Sequence, residues 1–314
     1  MRSTNFALCV AAFILACFFP LVADPYWLTV GILALFYAIV TSSWALLVGY
    51  AGQFSFGQMG FVSLGAYGVA LLMADLGVPL PVGMVVSMVL AGVVGAAIGF
   101  TCLRMRGPYL AIFTMAFSEV FRIVVLTENE VTGGAGGLEV PPLFHTRSDA
   151  PYFYLGLALL AAALGVMALM TSSRWGLFFR AIRENEQAAA AAGVKVVRFR
   201  VLVFAIASAI AGLAGAFYAP FIGILTPDVG SVDQMGLIVA MAVIGGTESL
   251  TASVIGAIIV EFLIEVLRAY GQWRLVLFGA LLLLTVRFAR NGLLALAWEK
   301  LVRFVPMRQP RPAE

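Results

Sequence analysis

Charge is what this chain has least of. Among 314 residues only 11% are charged, against 62% hydrophobic, and the mean hydropathy is +1.03. A soluble domain is charged at about a quarter of its positions. Too few charges remain here for a water-facing shell, and the chain reads as an integral membrane protein. Histidine occurs once, at His145, in a loop where solvation explains it. The three cysteines, Cys9, Cys17 and Cys102, fall in or beside apolar runs and offer neither a disulfide framework nor a metal site. There are two lysines, Lys195 and Lys300, and neither follows a glycine, so no G-x-x-x-x-G-K-[ST] phosphate loop exists and P-loop ATP hydrolysis is excluded. No nucleophile–base pair or metal-ligand cluster is visible, which argues against an enzyme and against any cofactor bound by this chain. A net charge of +3 gives no reason to expect a nucleic-acid partner.

What is abundant is apolar sequence in lengths that cross a hydrocarbon core of about 30 Å. The pattern predicts an all-α polytopic transmembrane bundle of about ten spans, near 6–22, 28–48, 54–73, 82–103, 109–126, 152–170, 201–219, 234–245, 251–267 and 273–290. Residues 6–22 follow Arg2 as a signal peptide would, but no clean A-x-A site follows, and Pro20 with Asp24-Pro25 marks a span end. The segment is read as the first helix. Gly49–Gly68, "GYAGQFSFGQMGFVSLGAYG", holds too much Gly, Gln and Ser for a lipid-facing helix and is expected to be broken or re-entrant.

Basic residues set the orientation. With loops numbered alternately, one side carries Arg2, Arg104, Arg106, six basic residues from Arg174 to Arg200 and six in a tail from Arg287 to Arg311; the other carries Arg147, Arg268 and Arg274. The second side carries Asp24, Asp75, Glu128, Glu130, Glu139, Asp149, Asp228 and Asp233. Both termini are therefore expected in the cytoplasm. A weak repeat matches Gly52, Ser55 and Gly65-Ala66 with Gly246, Ser249 and Gly256-Ala257. Chance accounts for it as well as a two-repeat organisation does; if the repeats are real, a pathway should lie where they meet.

Four polar features interrupt the apolar background. Gln53, Ser55, Gln58 and Ser63 either line a path for a zwitterion or satisfy backbone freed by a break. Glu119 and Arg122, three residues apart in mid-span, share a helix face; a lone charge there costs roughly 2.5–3.5 kcal/mol, so they form a brace or a substrate or gating site. Glu261 and Glu265 are a like-charge i,i+4 pair with Arg268 in reach, on a braced face or beside a wet cavity. The glycines of "VTGGAGGL", with Thr132, Gly133, Gly134, Gly136 and Gly137, allow tight turns in an outer loop. That loop is a lid, a dock for an external protein, or a plain turn.

The longest polar stretch is Ser172–Arg200, "RAIRENEQAAAAAGVKVVRFR" at its core. Ser173 can cap a helix from Arg174, on which Trp175 with Phe179 and Phe178 with Ile182 stack at i,i+4. Asn185 can cap a second helix through Glu186 and five alanines, ended by Gly193. A compact helical hairpin with a small-residue surface results, suited to close approach by another protein.

That loop resembles the coupling loop of ABC importer permeases. More narrowly, "LLVGYAGQFSFGQMGFVSLGAYGVALL" (46–72), "LRMRGPYLAIFTMAFSEVFRIV" (103–124), "TGGAGGL" (132–138) and "SRWGLFFRAIRENEQAAAAAGVKVVRFRVLVFAIASAIAGLAGAFYA" (173–219) resemble the branched-chain amino acid permease family, LivM-like. The resemblance implies one permease domain over 1–314, a cytoplasmic coupling loop at 172–200 and a basic tail at 291–314. It places Arg180, Arg183, Glu184, Glu186, Ala189, Ala190 and Gly193 at an ATPase contact. The general signature has Glu six residues before the Gly, where Gln187 stands, one position from Glu186. Implied partners are a homologous second permease, two ABC ATPase subunits that use the ATP, an extracytoplasmic substrate-binding protein and the lipid of a bacterial inner membrane. Permeases for urea, amides or aromatic acids are not separated by these residues. Two other readings stand beside it: an ion-coupled secondary transporter using Glu119 or Glu261, and a non-transporting membrane subunit.

Overall fold

The computed structural model describes residues 15–271 apart from 103, 104, 106 and 145–147, with isolated positions 13, 276, 279, 280 and 283. The start of the 6–22 span, the 273–290 span, the 291–314 tail, Cys9, His145, Arg104, Arg106, Arg147 and Arg274 lie outside the described residues.

Helices dominate. They are α1 (Pro25–Ala45, continued by a π-turn, Leu46–Tyr50), α2 (Gln58–Leu76), α3 (Leu80–Thr101), α4 (Pro108–Thr127), the one-turn α5 (Asn129–Thr132) and α6 (Ala150–Ser172). After them come α7 (Arg174–Glu184), α8 (Glu186–Ala191), α9 (Val196–Ile222), α10 (Val232–Gly245) and α11 (Leu250–Leu267). Seven are long and apolar enough to cross a membrane. Four of the long helices, α1, α3, α4 and α6, open with a proline in the first two positions, where the missing N–H has no helical partner to lose.

The chain runs back and forth between two ends. One holds α7 and α8 and is called the hairpin end. The other holds an antiparallel ribbon of β1 (Leu138–Glu139) and β2 (Ile224–Leu225) and is called the ribbon end. Among the described residues, the hairpin and Met105 fall at one end, and residues 138–140 and 223–225 at the other.

Two interruptions shape the bundle. In α1 the Ser42 and Ser43 hydroxyls donate to the carbonyls of Ile39 (2.9 Å) and Val40 (2.7 Å). Such back-bonding loosens a helix, and the π-turn follows one turn later. Gly52, at φ +66°, then reverses the chain. The break expected within Gly49–Gly68 is confined to residues 52–57, and α2 is continuous from Gln58. The second interruption is at the ribbon end, where residues 223–231 turn inward before α10. With 14 residues, α10 spans roughly 21 Å.

At the centre, α9 packs against both α2 and α3. Lipid supplies no hydrophobic drive between helices, so van der Waals fit must, and small residues permit it. A methyl added to Gly65 would sit 2.0 Å from the Gly212 carbonyl oxygen, and one on Gly215 would sit 1.9 Å from that of Val62. Helix α1 is 89% buried along its apolar window, whereas α4, at the edge, is 22% buried.

Candidate functional site: the hairpin, the breaks and the outer loop

Local chemistry builds the hairpin as its sequence predicts. The Trp175 N–H donates to Ser173 Oγ (3.2 Å) at the start of α7, the Ala188 N–H to Asn185 Oδ1 (3.0 Å) at the start of α8, and Gly193 takes φ +85° beyond it. One expectation changes. Among the described residues Phe179 makes its ring contact not with Trp175 but with Phe199 of α9, which Phe178 also meets, at 6.1 and 4.9 Å between ring centroids. The aromatic face is spent on anchoring the hairpin to the bundle, because a large apolar neighbour offers more contact than a ring four residues away.

The residues expected at a contact divide into two faces. Inward, the Arg180 guanidinium lies 5.5 Å from the centre of the Tyr50 ring. Arg183 donates to the Gly49 carbonyl, to Glu248 (3.2 Å) and to Glu184 (3.5 Å). Glu186 accepts from Arg200 (3.3 Å), whose other terminal nitrogen reaches the Met105 carbonyl (3.3 Å). Ala189 is 5% exposed and packs inside, so its expected place on the contact surface is corrected: α8 turns that position toward the bundle. Outward lie Ala190, Ala191, Ala192 and Gly193, together with Trp175 (44% exposed) and Leu177 (65% exposed). The exposed surface is mixed: Ala190–Gly193, Trp175 and Leu177 lie among exposed Arg174, Glu184, Asn185, Gln187 and Lys195, and the grip beneath is charged and aromatic.

Gln53 and Ser55 in the first break, and Gln58 and Ser63 in the start of α2, are all buried. Gln53 donates to the Arg200 carbonyl (3.3 Å), and Gln58 to Ser43 Oγ (2.7 Å) and the Ala207 carbonyl (3.0 Å). Ser55 Oγ accepts the Gly57 N–H (3.2 Å). Among the described residues Ser63 Oγ and Gln58 Oε1 lack a hydrogen-bond partner. Sequence reasoning missed the braces around them. Trp44 Nε1 donates to the Ser55 carbonyl (2.7 Å), and Thr114 of α4 accepts the Phe56 N–H (2.9 Å). No local pattern marks contacts across 11 and 58 residues.

Glu119 and Arg122 form a close pair. Arg122 Nε lies 3.1 Å from both carboxylate oxygens and Nη2 lies 2.6 Å from one. Asp228 of the inward-turning loop stands 4.0 Å from Nη1, and Ser118 donates to the Gly230 carbonyl of the same loop (3.1 Å). The pair sits half-exposed on α4, the least covered spanning helix. On α11, Glu265 accepts from Tyr26 and from Arg268 (3.2 Å), the braced arrangement expected. Glu261 is instead buried, within electrostatic range of Tyr37 and Tyr218.

The glycine loop is a knot rather than a loose turn. Gly133, Gly134 and Gly137 all have positive φ. A methyl on Gly133 would meet the Gly137 carbonyl oxygen at 2.4 Å, and one on Gly134 would meet Asn129 Oδ1 at 2.0 Å. Thr132 donates to the Val125 carbonyl (2.7 Å) and to that of Glu128. The ribbon and a bond from the Val140 N–H to the Gly223 carbonyl (2.8 Å) tie the loop down. Only Gly136 of the five expected residues is fully exposed.

Residues 26–286 match the family model described as "Branched-chain amino acid transport system / permease component". The chain belongs to the branched-chain amino acid ABC permease family. It is 28% identical, over 91% of its length and 74% of the relative's, to the high-affinity branched-chain amino acid transport system permease protein LivM of Escherichia coli. It is 24% identical over 72% of its length to a probable LivM of Methanocaldococcus jannaschii. It is also 26% identical over 77% of its length to the autoinducer 2 import system permease protein LsrC of Salmonella typhi. No solved structure matches. Within this permease the hairpin, the two breaks and the outer knot are the parts that differ from a plain helical bundle.

Proposed function

We propose that the chain is the membrane subunit of an ABC importer that moves branched-chain or related small apolar amino acids by alternating access. Separate ATPase subunits supply the energy. The observation that carries the reading is the hairpin: gripped beneath by charges and rings, and presenting a run of small residues, Ala190–Gly193, among exposed polar ones, in a permease with no phosphate loop of its own. A motor can seat closely on such a face. When ATP closes the ATPase pair, the hairpin moves with it and re-aims the helices.

Basic residues concentrated at the hairpin end support placing that end in the cytoplasm of a bacterium, with both termini there. The acidic ribbon end then faces outward, where the knot formed by Thr132–Gly137 gives a firm docking edge to a substrate-binding protein. The partly exposed Glu119–Arg122 pair favours a covering second permease over lipid, since even paired charges are costly where they face lipid at bilayer depth. The path then runs beside α4. Specificity rests largely on the binding protein, in keeping with the few charges in the bundle. Relatives named for autoinducer 2 favour one further reading, a more polar cargo carried by the same machinery.

Reconstitution tests both. Proteoliposomes holding the permease pair, its ATPases and its binding protein should take up leucine only with ATP, and the competitor that blocks uptake names the cargo. Uptake that survives without ATP but collapses with the proton gradient would sink the ABC reading.

A further inference from the structure

Three segments distant in sequence converge on one side chain. Arg183 closes α7, and its guanidinium reaches the carbonyl of Gly49, in the π-turn that ends α1, and Glu248, in the connection between α10 and α11. The carbonyls of a helix's last turn have no helical donors and carry partial negative charge, so a cation there is well matched. Two glycines make the approach possible. A methyl on Gly49 would lie 1.8 Å from the Thr247 carbonyl oxygen, and one on Gly52 would lie 2.9 Å from Arg183 Cγ. The end of α1 and residues 247–248 therefore touch, and the arginine stem lies along the reversal at Gly52.

The place matters as much as the contact. Gly52 and Gly246 are the paired glycines of the weak repeat, and both have positive φ, +66° and +113°. Each is followed three residues later by a serine whose hydroxyl accepts a backbone N–H near a helix start: Ser55 from Gly57, Ser249 from Ala252. The two halves of the repeat meet beneath Arg183. From Gly52 the chain passes through Gln53 and Ser55 into α2, so movement at this point is movement of the first break.

We infer that Arg183 is a positioning residue that transmits displacement of the hairpin to two membrane elements at once, the α1–α2 reversal and the α10–α11 connection. Arg180 over Tyr50 guides the same junction, while Arg183 alone joins all three segments. The inference rests on the hairpin being the ATPase dock. It assigns Arg183 to the bundle, so its loss should spare ATPase binding and remove the consequence of binding.

The test uses the complete transporter in proteoliposomes, with ATPase retention, ATP hydrolysis and uptake measured together. Arg183→Ala should keep the ATPase bound and hydrolysis near normal while uptake per ATP falls about tenfold, a usual size for coupling between sites. Arg183→Lys keeps a cationic donor for the Gly49 carbonyl and Glu248 and should recover uptake per ATP several-fold over Arg183→Ala. If Arg183→Ala lowers the folded yield, Glu248→Gln, outside the hairpin, reads the α10–α11 half of the link. Normal uptake per ATP in Arg183→Ala, or in Glu248→Gln where Arg183→Ala does not fold, overturns the inference. Ala190→Glu on the free face tests the dock separately: normal uptake there would remove the dock without touching the geometry beneath it.

Discussion

The two ends of the bundle are closed by different physics. At the hairpin end the joints are side chains: guanidinium to carbonyl, guanidinium to carboxylate, ring to ring. At the ribbon end backbone joints are added to side-chain ones: a two-residue ribbon, a 2.8 Å bond from Val140 to Gly223 and glycines in conformations other residues resist, beside hydroxyls of Thr132, Tyr67 and Tyr152 that donate to backbone carbonyls. Side-chain joints can slide and re-form within a cycle. A knot with positive φ at three glycines, two of them tight against neighbouring atoms, tolerates little change of side chain. If the proposed function holds, the contrast gives a compliant end to the motor and a stiffer end to the delivery of cargo.

The largest effect should come from forcing a side chain into the stiff end. Gly133→Val places a branched residue at φ +71° with a backbone oxygen 2.4 Å from its Cβ. Strain and overlap together should cost about 3 kcal/mol or more. A fall of several degrees in melting temperature in detergent, or loss of folded yield, would register it. An unchanged melting curve would mean the knot is loose and the contrast mistaken.

At the compliant end two adjacent alanines separate fold from function. Ala189→Glu pushes a carboxylate into a site 5% exposed and should cost about 2 kcal/mol, detaching α8 from the bundle. Ala190→Glu points into solvent and should change stability by less than about 0.5 kcal/mol, yet it should uncouple ATP hydrolysis from uptake. Limited proteolysis of the hairpin distinguishes them: accelerated in the first variant, unchanged in the second. Equal behaviour of the two would deny the hairpin its two faces.

These alanines also mark how far sequence reasoning reaches. The spans were legible because hydropathy and length suffice in a bilayer. Ser173, Asn185 and Gly193 were legible because capping is decided within a few residues. The inward turn of Ala189 was not, since six helical residues of near-uniform alanine carry no phase. Nor were the targets of Arg183, at 134 and 65 residues' separation. Trp175, Phe178 and Phe179 looked like a local stack because Phe199 cannot be seen from within α7. The repeat of Gly52–Ser55 in Gly246–Ser249 marked two turns with positive-φ glycines without saying what reaches them.

A smaller effect tests the pair between the two ends. Arg122→Gln leaves the Glu119 charge at mid-helix without its close partner, and Glu119→Gln leaves Arg122 only Asp228 at 4.0 Å. Both groups are half-exposed, so the coupling should be modest, about 1 kcal/mol. The double variant should lose less stability than the two single losses added. Strict additivity in thermal unfolding would show that the contact at 2.6 Å contributes nothing as a pair.

The smallest effect refines the stiff end most closely. Gly136 lies within the same knot as Gly133, Gly134 and Gly137, but it does not share their positive φ, and an added methyl meets nothing within 4 Å. Composition alone treats the four glycines as equivalent; geometry does not. Where the native backbone suits an ordinary residue, Gly→Ala stabilises by about 0.4–1 kcal/mol through the unfolded chain. Gly136→Ala should therefore be neutral or slightly stabilising in thermal unfolding, with uptake unchanged, beside a severe Gly133→Val. A large loss at Gly136 would mean that something outside this chain already occupies the space above it, and uptake assayed with increasing binding protein would then identify that contact.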